Sequence, residues 1–313
     1  MKKTTLAMFF LIAALYSAAV EAQTDVAHFT QYRTVKVDGL DIFYREAGNK
    51  DKPVIMLLHG FPTSSQMYRD LMADLANDFH LIAPDYPGFG NSSAPSIRDF
   101  DYTFDHLATI VAHFTDVLGL TKYSLYMRDY GGPVGFRIAT QRPQAIQAMI
   151  IQNANAYTEG LGEAIGPLLN YSRNPNPQTE TEAKRILTIE STKWQYLDGA
   201  EDTARISPDN YAVDQYYLNR NGNDQIQLSL FRDYKNNLSL YDNWHDYLRK
   251  YQPPVLIISG KNDKIFVAAG AAPFKKDVPN ARIKLLNGGH FVLVEKHSEA
   301  AQLIRDFFRE QER

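Results

Sequence analysis

Apolar runs of strand length alternate with helical stretches along most of the chain. The run at Val54–Leu58 is continuously apolar and the predicted strand at 255–259 is apolar up to its last residue, which is typical of strands that are buried on both faces. Between such runs, apolar residues recur at helical spacing, as over 104–118. Buried strands that alternate with amphipathic helices predict an α/β fold with a mostly parallel, doubly wound sheet, covered by helices on both sides.

The same two periodicities predict the remaining elements. An antiparallel hairpin is expected at the start of the pattern, because strand-like segments at 31–37 and 40–46 flank the turn Asp38-Gly39. Further strands are predicted over 81–83, 123–127, 149–151 and 283–286, and helices over 66–77, 131–140, 268–276 and 300–309. The sheet is therefore expected to begin antiparallel and to continue parallel.

The pattern changes between about residues 155 and 251, where no strand-like run occurs. This segment is rich in Tyr, Asn, Gln and charged residues, and it has helical stretches. Its two tryptophans, Trp194 and Trp244, need other groups to pack on, which disfavours a disordered linker. We predict a helical cap at 155–251, inserted after the sixth strand, and a core domain made of 23–154 and 252–313.

The first residues have the three-part pattern of a secretory signal peptide. Lys2 and Lys3 precede an apolar run at 6–20, and the segment that ends at Ala22 suits cleavage after that residue. The apolar run is short for a membrane span, and no later run reaches about 18 apolar residues. We expect 1–22 to be a signal peptide, the protein to be exported to the periplasm or the medium, and the mature chain to have no stable membrane insertion.

Composition narrows the function classes. Of 313 residues, 44% are hydrophobic and 22% charged, which indicates a globular chain, and the net charge of −3 disfavours a nucleic-acid partner. The chain has no cysteine, so disulfides and thiolate metal sites are excluded. Its histidines lack metal-ligand spacing and no glycine-rich phosphate loop follows a strand, so we expect no metal and no cofactor.

Reactive side chains follow several of the predicted strands, where ligands bind in a doubly wound sheet. The segment Tyr126-Met127-Arg128-Asp129-Tyr130-Gly131-Gly132 runs from a strand into a helix through glycines, which is the layout of a nucleophile elbow. Asp129 occupies the nucleophile position, although an aspartate there also suits a helix N-cap. The preceding Arg128 is expected to keep Asp129 ionised if it points inward, and otherwise to be solvated.

An acid and a histidine follow the last two predicted strands. Asp263 comes after the strand at 255–259, and His290 comes after the one at 283–286. Each alone is an ordinary loop residue, but together with Asp129 they stand in the order nucleophile, acid, base. The loop His59-Gly60-Phe61-Pro62 follows the third strand, and its Phe61 N–H is expected to form an oxyanion hole with the N–H of Tyr130.

These motifs together resemble the α/β-hydrolase superfamily, specifically its epoxide hydrolase and haloalkane dehalogenase branch. The resemblance extends over nearly the whole chain after residue 22 and rests on the HGFP loop, the DYPGFG turn at 85–90, the Asp elbow and the helical insertion. It implies that Asp129 forms an ester with a substrate carbon. It further implies that His290, oriented by Asp263, activates the water that cleaves this ester.

The leaving group distinguishes the branches. Epoxide hydrolases usually protonate the opening epoxide with two cap tyrosines, and the resemblance suggests Tyr234 as one of them. Tyr171 fits the second position by its order in the chain, with Tyr196 as a rival, although each could simply pack its ring. Epoxide hydrolysis to a vicinal diol is therefore the expected activity.

Haloalkane dehalogenation is the alternative. Dehalogenases commonly bind the leaving halide through a tryptophan beside the nucleophile and an asparagine in the HG loop, where this chain has Tyr130 and Phe61. Trp194 or Trp244 could substitute as N–H donors. The arginines of fluoroacetate-type dehalogenases are missing after Asp129.

Two other function classes fit the sequence less well. A serine esterase is excluded because the elbow has no serine, and a non-catalytic exported binding protein is disfavoured by the complete Asp-Asp-His set. The aromatic-rich cap indicates a small to medium, largely apolar organic substrate. The sequence does not reveal the oligomeric state.

Overall fold

A computed structural model describes residues 30–311 of the chain. The predicted signal peptide at 1–22 lies outside these residues. Within them the strands form one eight-stranded sheet in the order β1-β2-β4-β3-β5-β6-β7-β8. The strands are β1 Gln31–Val37, β2 Leu40–Ala47, β3 Val54–Leu58, β4 His80–Pro84, β5 Tyr123–Arg128, β6 Ile146–Gln152, β7 Val255–Gly260 and β8 Arg282–Leu286.

The sheet is antiparallel at one edge and parallel elsewhere. β2 pairs antiparallel with β1 and β4, and every later pairing is parallel. The first hairpin turns at Asp38 and Gly39, both with positive φ, as the Asp-Gly pair predicts. The predicted α/β fold with a mostly parallel, doubly wound sheet is confirmed.

Helices cover both faces of the sheet. The core helices are α1 Arg69–Leu75, α2 Phe104–Val117, α3 Gly131–Gln141, α11 Phe274–Asp277 and α12 Val292–Gln311. Successive residues of β3 enter opposite cores: Leu57 packs in the core that α1 and α12 cover, and Leu58 in the core that α2 and α3 cover. This burial on both faces explains why the strand has no polar alternation.

The segment between β6 and β7 is helical. Its helices are α4 Gly166–Arg173, α5 Pro177–Lys184, α6 Ile189–Leu197, α7 Pro208–Leu218, α8 Asn223–Asp233, α9 Lys235–Ser239 and α10 Tyr241–Tyr251. We call residues 153–254 the insert. It emerges at the carboxyl end of β6, so it starts on the side of the sheet where the candidate residues lie.

Three predicted helices have other bounds in the structure. The helix expected at 268–276 is reduced to a 3₁₀ turn, Ala268–Gly270, and the short α11, because Pro273 between them cannot continue a helix. The stretch at 66–77 begins as a 3₁₀ turn before α1. The last helix begins at Val292, well before the predicted residue 300, with a break at Lys296. No helix within residues 30–311 is long and apolar enough to cross a bilayer.

Candidate active site

Asp129 lies at a sharp turn between β5 and α3. Its φ of +51° is in the left-handed region, which is unfavourable for a residue with a side chain, and its N–H donates to the carbonyl of Asn153. A Cβ on Gly131 would lie 2.1 Å from the Leu58 carbonyl oxygen, so only glycine allows α3 to start this close to β3. The turn raises the Asp129 carboxylate above the carboxyl edge of the sheet, as an elbow requires.

The three residues predicted to form a catalytic set are brought together. Nε2 of His290 lies 3.6 Å from Oδ2 of Asp129, and Nδ1 of His290 lies 2.8 Å from Oδ2 of Asp263. All three side chains are buried. Nδ1 of the imidazole is thus held by an acid, and Nε2 is directed towards the Asp129 carboxylate. Nε2 forms no hydrogen bond with any group in residues 30–311.

The imidazole of His290 and the carboxylate of Asp263 stabilise each other's charged form. Burial by itself disfavours the imidazolium, but the neighbouring carboxylates of Asp263 and Asp129 outweigh it and raise the pKa of His290. Burial likewise opposes ionisation of Asp263, but His290 and the amide of Asn153, which donates to Oδ2 at 2.7 Å, lower the pKa of this carboxyl. Asp263 therefore stays ionised and fixes the tautomer of His290 that has its proton on Nδ1.

Phe61 supplies one half of an anion-binding pair. Its backbone N–H donates to Oδ1 of Asp129 at 2.7 Å. The N–H of Tyr130, at the start of α3, forms no hydrogen bond with any group in residues 30–311 and is available as a second donor. A Cβ on Gly60 would lie 2.2 Å from Oδ1 of Asp129, so a glycine before Phe61 is required for this approach.

His59 stabilises the loop that contains Gly60 and Phe61 and does not line the cavity beside Asp129. It is fully buried, its Nε2 accepts the N–H of Tyr86 at 3.2 Å, and Nδ1 lies 3.1 Å from the Gly60 carbonyl. Burial is the main cause that lowers the pKa of His59 to about 4. A neutral imidazole of this kind positions the backbone on both sides of it and takes no part in proton transfer at neutral pH.

A cavity of about 70 Å³ lies over Asp129, between the core and the insert. The core contributes Phe61, Asp129, Tyr130, Ile265 and Phe266, and the insert contributes Ala164, Ile165, Leu168, Ile186, Ser191, Trp194, Gln195 and Tyr234. Most of these side chains are apolar or aromatic, and the volume suits a small molecule. Side chains of the insert thus lie over the Asp129 carboxylate.

Two tyrosines from different elements face this cavity. Tyr234, between α8 and α9, and Tyr130 have ring centroids 6.4 Å apart, and both are buried. Neither hydroxyl forms a hydrogen bond with another group in the described part of the chain. Burial raises the pKa of both phenols, so both stay protonated and able to donate at neutral pH.

The other predicted cap residues lie in different surroundings. Tyr171 on α4 does not line the cavity, and its hydroxyl accepts a hydrogen bond from Arg232 at 3.0 Å. Tyr196 also lies outside the lining, with its ring stacked on Phe291 at 3.7 Å and its hydroxyl bonded to Asp214. Trp194 does line the cavity and is partly exposed, whereas Trp244 is buried against Phe136. The candidates for a second donor from early in the cap are therefore not brought to the cavity.

Sequence reasoning missed two polar residues around the site. Asn153 holds Asp263 and follows β6 directly, so attention to every strand end would have found it. Gln195 lines the cavity from α6 and is 4% exposed, and no sequence signal distinguishes it from the other glutamines of the cap.

Comparison with known proteins agrees with this geometry. A family model described as alpha/beta hydrolase fold matches residues 53–297. An uncharacterized hydrolase of Saccharomyces cerevisiae is 40% identical over 277 residues, which cover 87% of this chain and 95% of the relative. A haloalkane dehalogenase of Psychrobacter cryohalolentis is 28% identical over 284 residues, covering 88% of this chain and 89% of that protein.

Solved structures share the fold. Cfl2 of Burkholderia cenocepacia superposes with a TM-score of 0.76 at 23% identity, covering 89% of this chain and 96% of that one. The haloalkane dehalogenase DbeA of Bradyrhizobium elkani has a TM-score of 0.75 at 23% identity, covering 90% and 100% of the two chains. At this identity the likeness concerns the architecture of sheet and helices.

Proposed function

Since this chain belongs to the alpha/beta hydrolase fold family, we propose that it is a hydrolase that forms a covalent ester between Asp129 and a small apolar substrate, most specifically an epoxide. The observation that carries this proposal is the pairing of Asp129 with His290, whose Nε2 lies 3.6 Å from Oδ2 while Asp263 holds the other ring nitrogen. A carboxylate attacks an alkyl carbon readily, and the resulting ester needs a base for its hydrolysis.

The first half-reaction opens the epoxide. Oδ2 of Asp129 attacks one ring carbon, the bond between this carbon and the epoxide oxygen breaks, and the oxygen takes a proton from Tyr234. The product is a 2-hydroxyalkyl ester of Asp129 and a Tyr234 phenolate. The support for Tyr234 in this role is that its side chain is buried and lines the same cavity as Asp129. Tyr130 is the second donor that the cavity offers, in place of Tyr171.

The second half-reaction cleaves the ester. Nε2 of His290 takes a proton from water, and the hydroxide adds to the carboxyl carbon of Asp129. The negative charge that develops on Oδ1 is stabilised by the N–H of Phe61, which already donates to this atom at 2.7 Å, and by that of Tyr130. Collapse releases the diol, whose new oxygen receives a proton from His290. The Asp129 carboxyl, which keeps the second proton of the water, then loses it to solvent and is a carboxylate again, and Tyr234 regains its own proton from solvent.

Halide release is the second candidate. The observation that favours it is the full-length similarity to a protein named haloalkane dehalogenase, together with the indole of Trp194 in the cavity lining. In that case Asp129 displaces a halide, which leaves as an anion and needs hydrogen-bond donors without a proton transfer. Hydrolysis of the ester by His290 would be the same.

The test is a panel of aryl and alkyl epoxides and bromoalkanes, with diol and halide both measured. We expect diol without halide. His290→Gln should stop turnover while an ester accumulates on Asp129, visible as a mass increase of the intact protein. His80→Gln is the matched control, because His80 is also buried and paired with a carboxylate, Glu46, at 2.9 Å.

The possible outcomes of this panel are distinct. Halide release without diol favours the dehalogenase candidate. If no substrate is turned over and no ester forms in the His290 variant, the mechanism with an Asp nucleophile is wrong, and a non-catalytic binding protein becomes the better account.

We also propose that the protein is exported. The support is the basic start followed by the apolar run at 6–20 and a cleavage pattern that ends at Ala22. Expression of the complete chain in a bacterial host, with fractionation and mass determination, tests this. A product that begins at Gln23 in the periplasm or medium is expected, and an uncleaved cytosolic product would contradict the proposal.

A further inference from the structure

Arg128, the last residue of β5, is an arginine whose side chain is completely buried. It has 0% exposure, precedes Asp129 in the chain and does not line the cavity. Charged side chains are almost never fully buried unless specific contacts hold them. The mechanism above does not use this residue, so its position needs its own explanation.

The guanidinium contacts two loops of the site at once. Its Nη1 donates to the carbonyl of Phe61 at 3.0 Å, and its Nη2 donates to the carbonyl of His290 at 3.3 Å. Its central carbon lies 3.9 Å from the centroid of the Phe291 ring, so the planar group also stacks on the residue after the base. Each of these contacts is to the loop of the oxyanion donor or the loop of the histidine.

Arg128 and Asp129 therefore hold Phe61 from both sides of its backbone. Asp129 accepts the N–H of Phe61, and Arg128 donates to its carbonyl, which fixes the orientation of the donor relative to the carboxylate. The same guanidinium fixes the backbone of His290, whose ring must stay 3.6 Å from Oδ2 of Asp129. Two successive residues of the elbow thus set the positions of the oxyanion donor and the base.

We propose that Arg128 is a positioning residue that holds the Phe61 loop and the His290 loop in register on either side of the Asp129 carboxylate. This inference rests on the proposed function, because it concerns the ester hydrolysis that requires both loops. The prediction is that loss of the guanidinium slows the second half-reaction most, since that step uses the oxyanion donor and the base together.

Lysine cannot replace this group. A guanidinium presents several N–H donors in one rigid plane, which allows it to reach two carbonyls while its face stacks on an aromatic ring. An ammonium keeps the charge but is a compact group without a planar face, so it is expected to satisfy one loop and to release the other. Arg128→Lys therefore separates the geometry from the charge, and Arg128→Met removes both.

The charge has an effect of its own on the base. The groups that act on the His290 ring are Asp263 and Asp129, which raise its pKa, and Arg128, which lowers it. Tyr196 approaches the same region from the insert by stacking on Phe291. Removal of the positive charge in Arg128→Met should raise the pKa of His290 further, whereas Arg128→Lys should leave it near the wild-type value.

The test compares Arg128→Lys and Arg128→Met with Arg137→Lys. Arg137 on α3 is a matched control, because it is 3% exposed and donates to the Pro133 carbonyl and Asn237 but does not line the cavity. The rate of ester hydrolysis is measured in single turnovers, with the ester followed by intact mass. Melting temperatures are recorded for all variants, and histidine ring nitrogens are titrated by NMR, with His290→Gln identifying the His290 signal.

We expect ester hydrolysis to slow by about 10²-fold in both Arg128 variants, with the ester accumulating, and to stay near wild type in Arg137→Lys at a similar loss of melting temperature. If Arg128→Lys, when folded, hydrolyses the ester as fast as Arg137→Lys, the proposal is overturned. If Arg128→Met does not fold, Arg128→Lys alone decides.

The NMR titration separates this proposal from the proposed function. It needs no substrate, so it reports on Arg128 even if wild-type protein turns over neither epoxides nor bromoalkanes. An unchanged His290 titration in folded Arg128→Met would show that the guanidinium does not act on the base and would overturn the inference. If the midpoint of His290 is raised in Arg128→Met but the wild-type protein is inactive, the contact between Arg128 and the His290 loop is supported. The failure then lies in the assigned reaction.

Discussion

Nδ1 of His290 lies 2.8 Å from Oδ2 of Asp263, and this contact defines what the other ring nitrogen can do. Because the carboxylate accepts the proton on Nδ1, Nε2 keeps its lone pair and points towards Asp129. The imidazole is thus oriented and held in the tautomer that the proposed role of base requires before any substrate arrives.

Asp263→Asn is expected to slow ester hydrolysis on the order of 10³-fold, because an amide can donate to Nδ1 and favour the wrong tautomer. Single-turnover hydrolysis and accumulation of the ester measure this. Asp277→Asn is the control, since Asp277 is also buried but binds Tyr157 and Arg249 outside the cavity. Equal rates in the two variants would refute the orienting role.

The rate of ester hydrolysis should fall at acidic pH. The base must be neutral, and the pKa of His290 is raised above its ordinary value of 6.5, because Asp263 and Asp129 outweigh the effect of burial. Activity is therefore present above the raised pKa and is lost as the pH falls through it. The raised pKa belongs to the free protein, because Asp129 carries no charge once it is an ester. An NMR titration of the His290 ring in the free protein is expected to have its midpoint above 6.5, and the acidic midpoint of single-turnover hydrolysis is expected at or below that of the free protein. A free-protein midpoint below 6.5 would contradict the claim that the two carboxylates outweigh burial.

Tyr234→Phe should slow epoxide opening by about 10²-fold or more, because the departing oxygen loses its proton donor. Formation of the ester in a His290→Gln background measures this step alone. Tyr171→Phe is the matched control, because Tyr171 is an equally buried cap tyrosine whose hydroxyl binds Arg232 away from the cavity. If the Tyr171 variant is the slower one, the donor has been assigned to the wrong tyrosine.

Gly60→Ala is expected to reduce formation of the ester by about 10²-fold, because the new methyl group would lie 2.2 Å from Oδ1 of Asp129 and displace the carboxylate. Gly166→Ala provides the control, since a Cβ there meets no heavy atom of residues 30–311 within 4 Å. Ester formation and melting temperature are measured for both. Wild-type ester formation in Gly60→Ala would mean that the loop does not approach the carboxylate as closely as described.

Prediction from the sequence succeeded where a local rule applies. Asp129, Asp263 and His290 were expected to lie together because each follows a predicted strand, and parallel strands bring their carboxyl ends to one edge, where the structure has them. Their catalytic roles stay a prediction. The first hairpin was found from Asp38-Gly39, whose turn conformation few other pairs adopt. Helix ends were less accurate, as the interruption at Pro273 illustrates.

The cap residues could not be predicted in the same way. Tyr171 and Tyr196 were chosen by their order in the chain, but the packing of the helices directs them to Arg232 and Asp214 instead of the cavity. Gln195 lines the cavity, although its neighbour Tyr196 does not, because adjacent helical residues point about 100° apart. Which face of a cap helix turns inward depends on contacts with several other helices.

The sequence by itself determined the sheet, the turn at Asp129 and the placing of Asp129, Asp263 and His290 after successive strands, since periodicity and strand ends are local properties of a chain. Tertiary structure alone decided the inward direction of Arg128, the hydrogen bond from Asn153 to Asp263, and which cap side chains face Asp129. These depend on distances between residues far apart in the chain, and such distances follow from how the whole core and the insert pack.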